Sequence, residues 1–96
     1  MRPYEVMYIL APTLSAEEQT ALVDRFNELI TSTGGSVEKV DRWERRQLAY
    51  ELKRFREGYY VVVEFQAEPT LETEMDRQMK LTEPILRHMI LRRDEK

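Results

Sequence analysis

Between Asp41 and Phe65 the chain interleaves Arg42, Arg45, Arg46, Lys53, Arg54 and Arg56 with Trp43, Tyr50, Phe55, Tyr59 and Tyr60. Guanidinium forks pair with phosphates, and aromatic and guanidinium planes stack on bases. The chemistry offered is therefore recognition of RNA or of a partner protein. Other chemistry is thin. The single histidine, His88, lies in an apolar run without a nucleophile to activate, so a half-buried structural role is expected. Glu72, Glu74 and Asp76 have no His or Cys beside them and read as a solvated helix face, not a metal site. The absence of cysteine excludes disulfides, thiolate metal sites and Cys nucleophiles. Gly34-Gly35 has none of the spacing of a phosphate-cradling loop. No catalytic residue, metal or cofactor is expected.

The 96 residues make one domain, 1–96, closing on a short charged tail over 92–96. The net charge of −3 is unevenly placed. Residues 15–33 carry Glu17, Glu18, Asp24 and Glu28 against Arg25, and residues 68–83 are also acidic. The segment 42–58 is basic, and Arg87, Arg92, Arg93 and Lys96 outweigh Asp94 and Glu95 at the end. Total charge argues against nucleic acid; its distribution does not. No apolar span is long enough to cross a bilayer. Glu5 interrupts the apolar start and no small-residue cleavage site follows, so no signal peptide is expected and a cytoplasmic location is.

Positioning these residues requires a scaffold, and the pattern supplies one. Tyr4–Leu10 is rich in β-formers and reads as a strand. Ser15-Ala-Glu-Glu18 is a capping box opening a helix whose Leu22, Val23, Phe26, Leu29 and Ile30 share a face. Gly34-Gly35 stops it. Ser36–Lys53 reads as a long strand with a bulge or overhanging ribbon over Asp41–Gln47. Arg54–Gly58 is expected to be the turn, and Tyr59–Ala67 the next strand. Pro69 and Thr70 open a second helix with Leu71, Met75 and Met79 buried, ending at Glu83-Pro84. A last strand runs from Ile85 or Leu86 to Leu91. The order β-α-β-β-α-β implies an α+β, ferredoxin-like sandwich: a four-stranded antiparallel sheet with two helices on one face.

Strand phase then sorts the residues. Tyr59, Val61, Val63 and Phe65 are all apolar, so they face the helices together with Val6, Tyr8 and Leu10. His88 and Ile90 point inward on the last strand. Met7, Ile9, Tyr60, Val62, Met89 and Leu91 are left as an apolar patch on the helix-free face, which implies a protein partner. The same phase weakens a comparison with the RNA-recognition motif. Aligning Gly58-Tyr59-Tyr60-Val61 with that motif's third strand would bury Glu64 without a partner. The acylphosphatases share the strand order but need an Asn-Arg constellation, and Asn27, on the first helix, is the only Asn.

Several motifs together carry a family resemblance: Tyr4-Glu5-Val6-Met7-Tyr8-Ile9-Leu10, Gly35-Ser36-Val37-Glu38-Lys39-Val40, Arg45-Arg46-Gln47-Leu48-Ala49-Tyr50, Gly58-Tyr59-Tyr60 and Leu86-Arg87-His88-Met89-Ile90. In these the chain resembles, from end to end, the bacterial small-subunit ribosomal protein six family. The resemblance implies a non-enzymatic constituent of the small ribosomal subunit. It also implies binding to the central domain of small-subunit ribosomal RNA, cooperatively with ribosomal protein eighteen of the same subunit as a heterodimer. Neither a membrane nor a small-molecule substrate is implied. Pro3 stands where the family often has a basic residue. The alternative class is a ferredoxin-like protein-interaction or self-associating regulatory module.

On this basis Arg2, Tyr4, Arg87, Arg92 and Arg93 are the expected RNA-binding residues, because the first and last strands pair and bring the chain ends together. Trp43, Arg45, Arg46, Leu48, Tyr50, Tyr60 and Val62 are the expected partner-protein residues.

Overall fold

The computed structural model describes residues 1–94; positions 95 and 96 of the expected tail lie outside the described residues. The elements are β1 (Arg2–Leu10), α1 (Ala16–Ser32), β2 (Ser36–Leu52), β3 (Phe55–Ala67), α2 (Pro69–Leu81) and β4 (Ile85–Arg92). The strands form one antiparallel sheet in the order β2-β3-β1-β4, so β2 and β4 are its edges. This is the expected ferredoxin-like arrangement.

Local chemistry explains the boundaries. Ser15 Oγ accepts from the Glu18 N–H at 3.1 Å while the Ser15 N–H donates to Glu18 Oε1 at 2.9 Å, completing the capping box. Gly34 closes α1 in the left-handed region at φ 92°. Pro69, in the first turn of α2, loses no intrahelical hydrogen bond. The expected end of α2 at Glu83-Pro84 is two residues late. The Thr82 N–H donates to the Met79 carbonyl and its hydroxyl to the Gln78 carbonyl, so the helix closes after Leu81.

Burial follows the phase read from the sequence. Tyr4, Val6, Tyr8 and Leu10 of β1 and Val61, Val63, Phe65 and Ala67 of β3 pack against Val23, Phe26 and Ile30 of α1. Leu71, Met75 and Met79 of α2 complete that layer. Tyr8 lies 6.0 Å from Phe26 between ring centroids. His88 also faces this side, half-buried as expected, with Nε2 2.7 Å from Asp76 Oδ1.

The β2–β3 hairpin departs from expectation. The turn is not Arg54–Gly58 but the two residues Lys53 and Arg54, both left-handed at φ 47° and 73°, because Leu52 pairs directly with Phe55. Two positive-φ residues form the type I′ turn that matches strand twist, at about 1–2 kcal/mol for each residue that is not glycine. Three register shifts, Val37/Lys39, Arg42/Arg45 and Gln47/Leu52, insert extra residues into β2 alone. The second falls in the expected bulge region. The third adds the most, and a strand longer than its partner must bend. The far end of the hairpin therefore curls onto the helix-free face.

There Leu48 packs with Ile9, Ala11 and Leu86 as a second apolar cluster, flanked by Leu52, Phe55 and Tyr60. This corrects the patch drawn from phase. Ile9 does point away from the helices, yet it is only 3% exposed because the ribbon covers it. The close approach of ribbon, β1 and β3 depends on Gly58. A Cβ there would sit 2.5 Å from Ile9 Cγ2 and 3.1 Å from the Leu10 carbonyl oxygen.

Two predictions follow from these contacts. Gly58→Ala should cost about 1–3 kcal/mol, the usual penalty of overpacking, measured by urea unfolding; unchanged stability would show that β1 yields freely. The Asp76 carboxyl is held below its ordinary value of 3.8 by the His88 imidazole and then by the Lys80 ammonium. A carboxyl lowered in the folded state contributes stability that is complete above its unfolded value. That contribution is lost as pH falls through the lower folded value. Asp76→Asn should therefore flatten the acid limb of Tm against pH below about 4; an unaltered acid limb would remove Asp76 from the linkage.

Candidate protein and nucleic-acid interface

The helix-free face is built by two devices. The sheet supplies Met7 opposite Met89 and Val62, and Ile9 opposite Arg87 and Tyr60. The ribbon then roofs one end. Between the two lies an open groove of about 180 Å³. Met7, Ile9 and Met89 form its floor, Leu48, Tyr50 and Leu52 its ribbon side, and Tyr60 and Arg87 also line it. Met89 within it and Leu91 beyond it remain 38% and 48% exposed, an apolar strip on an edge strand.

The ribbon's outer part joins two rings and a guanidinium. Trp43 lies on Tyr60 with centroids 5.6 Å apart and planes 24° from parallel. The Arg46 guanidinium lies over the Trp43 ring, 4.6 Å from its centroid. Trp43 is 40% exposed, so the stack is worth about 0.5–1 kcal/mol beyond its area. It fixes Arg46 at the surface. Arg45 points to Glu57 at 3.8 Å, both half in solvent, a weak pair. A long-range contact ties down the hairpin tip: Lys53 Nζ donates to the carbonyls of Ile85 at 3.1 Å and Glu83 at 3.3 Å.

Most of the residues expected to meet a partner protein share the open side, and Arg45 and Leu48 do not. Trp43, Arg46, Tyr50 and Tyr60 line the open side of the ribbon, Val62 pairs with Met7 on the open face, and Arg45, opposite Tyr59, turns to the helix side. Leu48 is 9% exposed and chiefly anchors the ribbon.

The expected RNA residues are not brought together as one set. Tyr4 is fully buried, stacked on Phe65 at 5.5 Å, because it shares the inward phase of Val6 and Tyr8. It positions the strand ends and offers no surface. Arg2 and Arg93 are exposed at the end where the Arg93 N–H bonds to the Pro3 carbonyl, and Arg92 is half-buried there. Arg93 is engaged by Glu38 at 3.0 Å and Glu64 at 3.4 Å, and Arg92 by Asp94 at 3.3 Å. Arg87 lies near the other end of β4, roughly 17 Å away at strand rise, and bonds to the Tyr50 hydroxyl. It belongs to the groove.

Sequence reasoning did not identify Lys53, whose partners are 30 and 32 residues away, nor Glu38 and Glu64 as the carboxylates that hold Arg93. No local signal points to either. Met7 and Met89 were legible from phase. The helix layer is opposite in character, with Glu17, Asp24 and Glu28 exposed on α1 and Glu72, Glu74 and Asp76 half-exposed on α2. Among the described residues no cluster fit for a metal ion occurs, and no helix is long and apolar enough to cross a membrane.

Comparison with known proteins agrees with this architecture. Residues 3–92 match the family described as Ribosomal protein S6. The small ribosomal subunit protein bS6 of Desulforudis audaxviator is 49% identical over 94 residues, covering 98% of this chain and all of that one. That of Carboxydothermus hydrogenoformans is 45% identical over 95 residues, covering 99% of each. The crystal structure of 30S ribosomal protein S6 from Thermotoga maritima superimposes with a TM-score of 0.90 at 36% identity, covering 96% of this chain and 87% of that one. The family is a structural, non-enzymatic part of the ribosome. With the fold, the family match over residues 3–92 and nearly full-length relatives in agreement, the chain belongs to the ribosomal protein S6 family and is a structural constituent of the small ribosomal subunit.

Proposed function

We propose that the chain binds the central domain of small-subunit ribosomal RNA cooperatively with ribosomal protein eighteen of the same subunit. The observation that carries this reading is the helix-free face: an apolar groove with cations at its margin, on a protein whose helix layer is acidic. An RNA polyanion is repelled by the helices and attracted to the sheet side. The apolar floor of Met7, Ile9 and Met89 offers nothing to phosphate and suits a protein side chain.

Partner protein and RNA then divide the surface. The groove and the cluster of Trp43, Tyr60 and Arg46 take the protein, with Tyr50 and Val62 beside them and Arg45 at the other side of the ribbon. Arg2, Arg87, Arg92 and Arg93 take phosphates. Among the described residues no carboxylate pairs with Arg2 or Arg87, so these two enter with their charge uncompensated. Arg93 contributes less until its carboxylates let go. Tyr4 supports the strand that carries Arg2.

The experiment is a titration of central-domain RNA with the chain, with and without ribosomal protein eighteen, across salt. The chain with its partner should bind more tightly than either protein alone. The log of affinity should fall linearly with log salt at a slope of roughly −2 to −4, as expected for a few phosphate contacts. Absence of RNA binding with the partner present would refute the reading. Detectable homodimers at micromolar concentration would instead favour a self-associating module.

A further inference from the structure

We propose that Tyr50 is a positioning residue for Arg87, and that this pair is the joint through which occupation of the apolar groove is felt at the RNA contact. The inference rests on the proposed function and concerns how its two surfaces communicate.

The bulk of the guanidinium groups in this protein are spoken for by carboxylates or rings. Arg45 meets Glu57, Arg56 meets Glu51, Arg77 meets Glu74, and Arg93 meets Glu38 and Glu64. Arg46 lies over Trp43, and Arg25 over Phe26. Arg87 differs. It is exposed, on an edge strand, and its contact is the neutral Tyr50 hydroxyl, which accepts from Nη1. A phenol oxygen orients a guanidinium without neutralising it. Four of the five N–H donors stay available, in a fork that fits a phosphate. Fixed direction with undiminished charge is what a phosphate site needs, and a carboxylate partner would have cancelled it.

Tyr50 does not belong to the strand that carries Arg87. It sits between Gln47 and Leu52, where β2 leaves its ladder with β3 by the largest register shift. That short arch is pinned at Leu48 by the second apolar cluster and near its end by Lys53 on the Glu83 and Ile85 carbonyls. Tyr50 itself is 59% exposed, so packing does not fix its ring. The same ring lines the groove together with Met7, Met89 and Arg87. A protein side chain entering the groove therefore has Tyr50 and Arg87 among its walls. Occupation would select one setting of the phenol and hence one direction of the guanidinium. Cooperativity then needs no large rearrangement, only the ordering of one joint shared by two ligands.

The test uses the full chain, ribosomal protein eighteen and central-domain RNA. Tyr50→Phe keeps the ring and removes the hydroxyl, so the thermal unfolding midpoint should be unaltered, as for a surface change that leaves packing intact, and RNA affinity is read with ribosomal protein eighteen saturating, so that any change in the affinity for that protein does not enter. RNA affinity of the heterodimer should fall roughly threefold to tenfold, the worth of one hydrogen bond. With Arg87→Ala already present, Tyr50→Phe should have no further effect on RNA affinity, because its only route is through Arg87. Arg87→Ala should also make the salt slope shallower by about one contact, whereas Tyr50→Phe should reduce affinity with little change in slope. Unaltered RNA affinity of the Tyr50→Phe heterodimer, or additive effects in the double variant, would overturn the proposal while leaving the proposed function standing. Failure of the unaltered heterodimer to bind RNA would overturn both.

Discussion

Two helices can cover only one face of a four-stranded sheet, and the rest of this structure depends on what happens to the other. Burying the first face yields the main core, with Tyr4, Tyr8, Phe26 and Phe65 at or near zero exposure. Each such side chain contributes about 1.5–3 kcal/mol. The second face begins with Met7, Ile9, Tyr60, Val62, Met89 and Leu91, too apolar to be left entirely to water. The chain resolves this halfway. It lengthens β2 by bulges, swings the hairpin over Ile9 and stops, so one end of the face is roofed and the other is open. The open half is the surface proposed for the partner protein.

The geometry of that roof has identifiable costs and offsets. Lys53 and Arg54 occupy left-handed backbone that glycine would take more easily. Against this stand the burial of Leu48, the Lys53 bonds to two carbonyls and the room left by Gly58. The bulges also protect β2 as an edge, since a bent, charged strand is a poor template for pairing. Along the same strand Arg42 turns to the helix side and bonds to Thr20 Oγ1 at 3.0 Å, while Arg46 turns to the open side over Trp43. The basic segment is thus divided between the two faces.

Much of this was legible in the sequence because one-face burial writes a period of two. Tyr59, Val61, Val63 and Phe65 could only face the helices, and that fixed β1 and β4 as well. The capping box at Ser15 and the glycines after α1 act locally and read directly. What did not read were features decided at long range. Lys53-Arg54 has no turn signature, and only the Leu52–Phe55 pairing makes it the turn. Ile9 was correctly placed outward, yet its burial depends on a ribbon that arrives from β2. Tyr4 was a surface candidate on resemblance although its own phase pointed to the core. Arg87, grouped with the chain ends because it shares β4 with Arg92, proved to lie at the far end beside Tyr50.

Charge completes the arrangement. The acidic helix layer and the cation-rimmed sheet give the protein two unlike sides, so the net charge of −3 describes neither. In the proposed function the partly roofed face is the surface on which protein and RNA meet, and amide hydrogen exchange tests this most directly. It should be followed along the chain when free and when bound to ribosomal protein eighteen and central-domain RNA. Exchange should slow in the ribbon over 43–52 and in β4 over 85–92, while α1 and α2 keep their free rates on their outer faces. Protection confined to the helices, with the ribbon and β4 unchanged, would contradict it.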